Sequence, residues 1–305
     1  MNGILNILKP PGMTSHDVVA LLRKLWGIKR IGHTGTLDPA AAGVLVLLIG
    51  KATKLNQYMV GMDKVYRGQI TFGVRTNTQD STGTVIERIA PVITREQVES
   101  AFAKFTGTQT QIPPLMSAVK HKGKRLYKWA QQDVEVVAAP RAISIYTLHL
   151  LAFSAGTGEG NDYPSAFFEC HCSKGTYIRT LAADIGDYLG CGAHLSFLLR
   201  TQVGPFKLEK SLTLEEIAAA DLSHSLLPLT AGLSHLTRVI VKSEAVKALI
   251  NGKSLKLSDV EPVADTISTG QFVRLERPDG ALLAIATWEG GSAGDYFRPR
   301  QVLYG

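Results

Sequence analysis

Residues 14 to 49 read as a helix, a glycine-marked loop and a strand in direct succession, which leaves the loop clamped between two rigid elements. Thr14-Ser15-His16-Asp17 has the pattern of a capping box. Val18, Leu21, Leu22 and Leu25 recur at helical spacing up to Trp26, where Gly27 ends the run. Ahead of it, residues 3 to 7 form a short strand candidate and Lys9-Pro10-Pro11-Gly12 a rigid turn. Beyond the loop, Val44 to Ile49 is unbroken apolar sequence with the length of a strand. The loop itself is Gly32-His33-Thr34-Gly35-Thr36-Leu37-Asp38-Pro39. Its glycines permit close backbone approach, and Pro39 keeps Asp38 out of the helical region. An aspartate before proline is also an ordinary turn residue, but loops held this way often carry functional side chains. Asp38 is therefore the first candidate.

Charge points to the same segment. The whole net charge of +7 resides in residues 1 to 75, which hold ten Lys and Arg against Asp17, Asp38 and Asp63. A second basic cluster, Lys120, Lys122, Lys124, Arg125 and Lys128, lies in a Pro- and Gly-punctuated segment with an exposed look. Such concentration suits attraction to phosphate backbones, although solubilising lysines have the same signature. The 305 residues, 45% hydrophobic, suffice for one large domain and a small one. No stretch approaches about eighteen consecutive apolar residues, and the N-terminus lacks the regions of a signal peptide. A cytoplasmic protein without membrane contact is expected. Cys170, Cys172 and Cys191 are too few for a disulfide framework and lack the second ligand pair of a zinc site, so buried thiols and no metal are expected.

The remainder alternates between strand and helix. Val65 to Phe72, Ile143 to Phe153 and Ser165 to Cys172 are strand candidates, and the 154 to 163 segment between the last two is a polar loop. Thr94 to Phe105 and Tyr177 to Leu189 are helix candidates, the second closed by Gly190. Arg179 falls in the first turn of that helix, where a cation opposes the macrodipole, so a carboxylate or phosphate partner is expected. Thr213-Leu214-Glu215-Glu216 is another capping box. Residues 237 to 305 form a small β-rich module: a helix from Ser243 to Asn251, then strands Gln271 to Arg277 and Ala281 to Thr287 joined through Pro278-Asp279-Gly280.

Generic motifs are excluded one by one. Gly50-Lys51 suggests a phosphate loop, but Leu45 stands where its first glycine belongs and Ala52 replaces the hydroxyl. Gly32-His33-Thr34-Gly35 satisfies the bare Gly-x-x-Gly of an RNA-clamping KH loop, a pattern too short to carry weight. No serine or cysteine elbow and no dinucleotide fingerprint is present. What remains is an aspartate acting as nucleophile toward carbon, with Arg179 as its counter-charge if the fold brings the two together.

The loop with Gly43, preceded by Lys9-Pro10-Pro11-Gly12-Met13-Thr14-Ser15 and followed by Lys64-Val65-Tyr66, resembles the TruB-type pseudouridine synthases. Gln111-Ile112-Pro113-Pro114, Ser117-Ala118-Val119-Lys120, Gly123-Lys124-Arg125-Leu126-Tyr127 and Ser173-Lys174-Gly175-Thr176-Tyr177-Ile178-Arg179-Thr180-Leu181 with Asp184 continue the likeness in the family's order, over roughly residues 3 to 204.

The resemblance implies an α+β, two-lobed pseudouridine synthase fold around a mixed, largely antiparallel sheet. A catalytic domain of residues 1 to 236 would include a basic RNA-contacting segment near 108 to 140, and residues 237 to 305 would be a PUA-like module. It implies an enzyme that isomerises the T-loop uridine, position 55, of tRNA, flipping the base and using Asp38 to attack C6 of the base or C1′ of the ribose. Tyr66 would stack on the uracil, Arg179 pair with Asp38, His33 occupy or guard the space left by the flipped base and Lys9 support the cleft. Leu198 would wall the base pocket, although its spacing from Leu195 is helical and suits plain core as well. Lys64, Arg67, Lys120, Lys122, Lys124, Arg125 and Lys128 would contact RNA. No cofactor, no metal and no obligate protein partner are implied, and a monomer is expected. Ala42 and Lys128-Trp129-Ala130-Gln131-Gln132-Asp133 depart from the family pattern. The competing class is an RNA-binding protein without turnover, for which an aspartate set among phosphate-binding cations has no use.

Overall fold

The computed structural model describes the chain apart from residues 118, 122, 127, 128, 130, 131, 133–135, 137, 158–161, 220–224, 264, 265, 291–293, 304 and 305, and apart from the side chains at 120, 121 and 125. The opening elements are β1 (Gly3–Lys9), α1 (Ser15–Trp26), β2 (Ile31–His33) and β3 (Ala42–Ile49). Thr14 caps α1 in a reciprocal box with Asp17, and Gly27 closes it at φ 65°. β3 pairs antiparallel with β1 along its length and with β2. Both faces of β3 are covered. Leu45, Leu47 and Ile49 pack with Val18, Val19 and Leu22 of α1, and Val44, Val46 and Leu48 enter a second cluster on the other side. A strand buried on two sides reads as continuous apolar sequence, as this one does.

Next come α2 (Asn56–Met59), β4 (Lys64–Phe72), β5 (Val74–Thr76), β6 (Val85–Arg88), α3 (Arg95–Lys104) and β7 (Gly107–Gln111). They are followed by β8 (Lys120–His121), β9 (Lys124–Arg125), β10 (Arg141–Ser154), β11 (Ser165–Cys172), α4 (Ile178–Tyr188), β12 (Ala193–Val203) and β13 (Phe206–Lys207). The main sheet runs β1-β3-β12-β4-β11-β10-β7, with β2 on β3 and β13 on β12. Its pairings are antiparallel except β12 against β3, where Leu199 meets Ala42 and Arg200 meets Gly43. This is the mixed, largely antiparallel α+β architecture expected. β4 alternates strictly: Tyr66, Gly68, Ile70 and Phe72 are buried on the side of α3 and α4, and Arg67 is exposed on the other. All three cysteines are free and buried.

β12 corrects one expectation. Leu195 and Leu198, spaced as on a helix, lie on a strand. A register shift between Leu195 and Phe197 leaves Ser196 unpaired, so Leu195 faces Ile70 and Leu198 faces Gly68, two positions on one side of β4. One extra residue turns a period of two into an apparent period of three.

Gly43 makes the parallel junction possible. Its φ is +118°, and a Cβ there would stand 2.2 Å from the Arg200 carbonyl oxygen. Gly43→Ala should cost about 3 kcal/mol or more, from strain at positive φ plus backbone overlap. A urea midpoint unchanged from the parent would contradict this reading.

After α5 (Leu214–Ala219), whose first turn Thr213 and Glu216 cap reciprocally, the chain enters a second sheet. β14 (Thr237–Ile240), α6 (Ser243–Ile250), β15 (Leu255–Lys256), β16 (Phe272–Glu276), β17 (Leu282–Glu289) and β18 (Tyr296–Val302) give the strand order β14-β16-β17-β18-β15. The turn between β16 and β17 has Gly280 at φ 86°. This sheet has its own core around Val273, Leu275 and Phe297. Leu282, Ile285 and Leu303 nevertheless share a cluster with Ile4, Val44 and Val46. Removing the module would therefore expose the back of β3.

Candidate active site

The Asp38 loop is fixed from three sides. Ser15, buried at the start of α1, accepts a hydrogen bond from Leu37 N at 2.8 Å and donates to Leu37 O at 3.2 Å. Gly12 N donates to Pro39 O at 2.9 Å, and Ala41 N donates to Asp38 O at 3.1 Å. The wholly buried Lys9 directs its ammonium at the carbonyls of Pro10 (2.8 Å), Met13 (2.6 Å) and Pro39 (3.3 Å). The rigid turn after β1 thus holds the residue next to Asp38.

Arg179 meets Asp38 side-on. Its Nε lies 2.8 Å from Asp38 Oδ2, and its Nη2 donates to Oδ1 at 3.2 Å. Two further donors go to Thr78 O (3.1 Å) and Met116 O (2.9 Å). Asp80 Oδ2 is 3.7 Å from Nε. The arginine side chain is 5% exposed and the Asp38 side chain 37%. A buried guanidinium therefore aims an open carboxylate outward, and bidentate pairing sets its orientation. The partner expected for a cation in the first turn of α4 is this aspartate.

Tyr66 is close enough to feel the Asp38 charge, and it shares an apolar cluster with Leu37, against which Leu198 packs. Burial pushes the Tyr66 phenol up to about 12, with the nearby Arg200 guanidinium acting against it. The ring is thus a neutral hydroxyl-bearing surface at physiological pH. His33 ends β2; burial, then Arg200 and His16, lower its pKa below the ordinary value, favouring the uncharged ring. Its buried Nδ1 has no hydrogen-bond partner.

Burial lowers Lys9 from 10.5 to about 8, with Asp38 opposing that shift and Arg200 adding to it. The unfolded chain therefore holds this proton more tightly than the folded one. Lys9's contribution to stability is constant below its folded pKa, rises from about pH 8 to 10.5, and levels off above that. Urea midpoints compared at about pH 7 and about pH 10 should show a larger alkaline gain in the parent than in Lys9→Met, and equal gains would contradict the assignment.

The cations assigned to RNA fall differently. Lys64, also lowered to about 8 by burial, is buried and directs its ammonium at the carbonyls of Val60 and Met62. Arg67 is on the face of β4 opposite Tyr66 and pairs with Glu169 at 2.8 Å. Neither offers an unpaired charge at the carboxylate. Lys124 sits over the Trp129 ring at 4.5 Å and donates to Gln132. The backbones of Lys120 and Arg125 pair across β8 and β9, while their side chains, and all of Lys122 and Lys128, lie outside the described residues.

Sequence reasoning missed Arg200 and Asp80. Arg200, 2% exposed, donates to Val44 O (2.8 Å), Gly35 O (3.1 Å) and Thr36 O (3.3 Å), tying both ends of the Asp38 loop to β12. A single charge following Leu195, Phe197, Leu198 and Leu199 was the available signal, since a buried charge requires partners. Asp80 takes Thr78 Oγ1 (2.7 Å), Thr82 Oγ1 (2.6 Å) and Thr82 N (3.0 Å) on one oxygen and turns the other toward Arg179. Its threonine-rich turn gave no hint of that direction.

Comparison with known proteins identifies the class. The N-terminal domain of the TruB family pseudouridylate synthases matches residues 23–178, and the C-terminal domain of tRNA pseudouridylate synthase B matches residues 179–243. The fold is thus that of a pseudouridylate synthase, an isomerase. The tRNA pseudouridine synthase B of Pelotomaculum thermopropionicum is 47% identical over 291 residues, covering 94% of this chain and 91% of that one. That of Moorella thermoacetica is 46% identical over 307 residues, covering 99% of each. The chain belongs to the TruB family. Among solved structures, a Cbf5-Nop10-Gar1 complex contains a chain of the same fold, with TM-score 0.77 and 26% identity over 99% of this chain and 85% of that one.

Proposed function

We propose that the protein converts the T-loop uridine at position 55 of tRNA to pseudouridine, with Asp38 as the attacking group. The observation that carries this reading is the open Asp38 carboxylate held by the buried Arg179, with Tyr66 within reach of its charge. The target nucleotide leaves its stack and meets the Asp38 carboxylate, its unstacking offset by phosphate contacts and by the Tyr66 ring. Asp38 attacks C1′ or C6 and the C1′–N1 bond breaks. The uracil turns while still held, C5 bonds to C1′, the bond to Asp38 breaks to return the carboxylate, C5 loses its proton and N1 gains one, so no atom is lost. The neutral Tyr66 hydroxyl is the group that steers the C5 proton. His33, uncharged, takes the place of the extruded base.

Residues 1 to 236 are read as the catalytic domain and residues 237 to 305 as a PUA-like module that braces it, with RNA contact as its further task. The protein works as a cytoplasmic monomer without cofactor or obligate protein partner. Its test is site mapping: unmodified tRNA incubated with the protein should gain pseudouridine at the T-loop uridine alone, and modification elsewhere would overturn the substrate assignment.

Phosphate contact supplies the affinity. Lys29 and Arg30 are exposed immediately before β2 and the His33 loop. Binding should weaken steeply with salt, and Arg30→Gln should lower the slope of log affinity against log salt by about one. A slope unchanged in the variant would remove Arg30 from the RNA surface.

A further inference from the structure

Gln79 is the one non-glycine residue with positive φ, 63°, among the described residues. Side chains disfavour that region, and a residue kept there by its surroundings usually marks a place where backbone direction matters. Its neighbours say what the direction is for. Thr78, on one side, gives its carbonyl to Arg179 Nη1; Asp80, on the other, turns a carboxylate oxygen to within 3.7 Å of Arg179 Nε. A left-handed residue between them lets consecutive positions address the same guanidinium.

The Gln79 side chain and backbone then lock the loop in place. Its Oε1 accepts from Thr180 Oγ1 at 3.0 Å, and Thr180 directly follows Arg179 on α4. Gln79 O accepts from Leu195 N at 3.0 Å and Ser81 N donates to Leu195 O at 3.2 Å, so β12 holds the same loop. The loop is thereby fastened both to the helix carrying Arg179 and to the strand carrying Leu198 and Arg200.

We propose that Gln79 is the positioning residue of the Asp38–Arg179 pair: its left-handed backbone turns Thr78 and Asp80 onto Arg179, and its amide clamps their loop to Thr180. The proposal rests on the role given to Asp38 and Arg179 above. It touches no reacting atom, so its signature is a slower chemical step at unchanged RNA affinity.

Gln79→Val and Gln79→Gly separate the two halves of the device. Valine resists positive φ and loses the amide; glycine loses the amide but adopts φ 63° freely. The single-turnover rate of Gln79→Val should fall about ten- to a hundredfold with RNA affinity within about twofold, and Gln79→Gly should regain most of that loss. A parental rate in Gln79→Val would overturn the proposal, as would rate losses in both variants that track lost affinity and lower thermal midpoints. Crystal structures give a readout independent of turnover: Arg179 should leave Asp38 in Gln79→Val and stay in Gln79→Gly, and an undisturbed pair in both would overturn it. A parent that forms no pseudouridine would sink the functional reading instead, leaving the crystallographic result to decide on Gln79.

Discussion

Arg179→Ala should abolish nearly all turnover and destabilise the fold together. The guanidinium is 5% exposed and serves Asp38, Thr78 O and Met116 O, with Asp80 nearby. Its removal leaves two carboxylates facing each other across a cavity and two carbonyls without donors. Deleting one partner of a fully buried pair costs about 3–5 kcal/mol, and the loss here should be smaller because solvent reaches the Asp38 carboxylate, 37% exposed. Catalysis should suffer separately: without the bidentate partner the Asp38 carboxylate rotates, and loss of such electrostatic positioning costs about a hundred- to a thousandfold. Arg179→Lys is the control. A single ammonium restores the charge without the planar fork, so stability should recover more than the rate does. If Arg179→Lys matched the parent in single-turnover rate, the fork geometry would be irrelevant to the reaction.

Much of this arrangement was legible because local signals and tertiary structure agree. The capping box at Thr14, the stop at Gly27 and the apolar run of β3 are each decided within a few residues, and each stands as the sequence says. The Asp38 loop followed from them. The helix beginning near Tyr177 was equally clear, and the unfavourable placement of Arg179 within it pointed to an anionic partner. β12 was not legible, because its bulges at Ser196 and Thr201 break the period of two on which a strand is recognised. Arg200 was lost with it. The placement of Lys64 and Arg67 was hidden for a related reason. Charge counts carry no direction, whereas strand alternation sends Arg67 to the far face and burial turns Lys64 inward onto carbonyls. Asp80 depended on the left-handed turn at Gln79, a conformation that glutamine does not announce.

Asp38→Ala is the most direct test of the account, because the structure separates its chemistry from the fold. Arg179 keeps Thr78 O and Met116 O, and Asp80 remains 3.7 Å away to take the charge, so the variant should fold near the parental midpoint. Ser15, Lys9 and Arg200 hold the loop through Leu37, Pro39, Gly35 and Thr36, not through the Asp38 side chain. Parent and variant should therefore be incubated with the same unmodified tRNA, its pseudouridine mapped at nucleotide resolution, and RNA affinity measured alongside. The account predicts modification of the T-loop uridine by the parent, none by Asp38→Ala, and similar affinity in both. Pseudouridine at that position after incubation with the variant would contradict it.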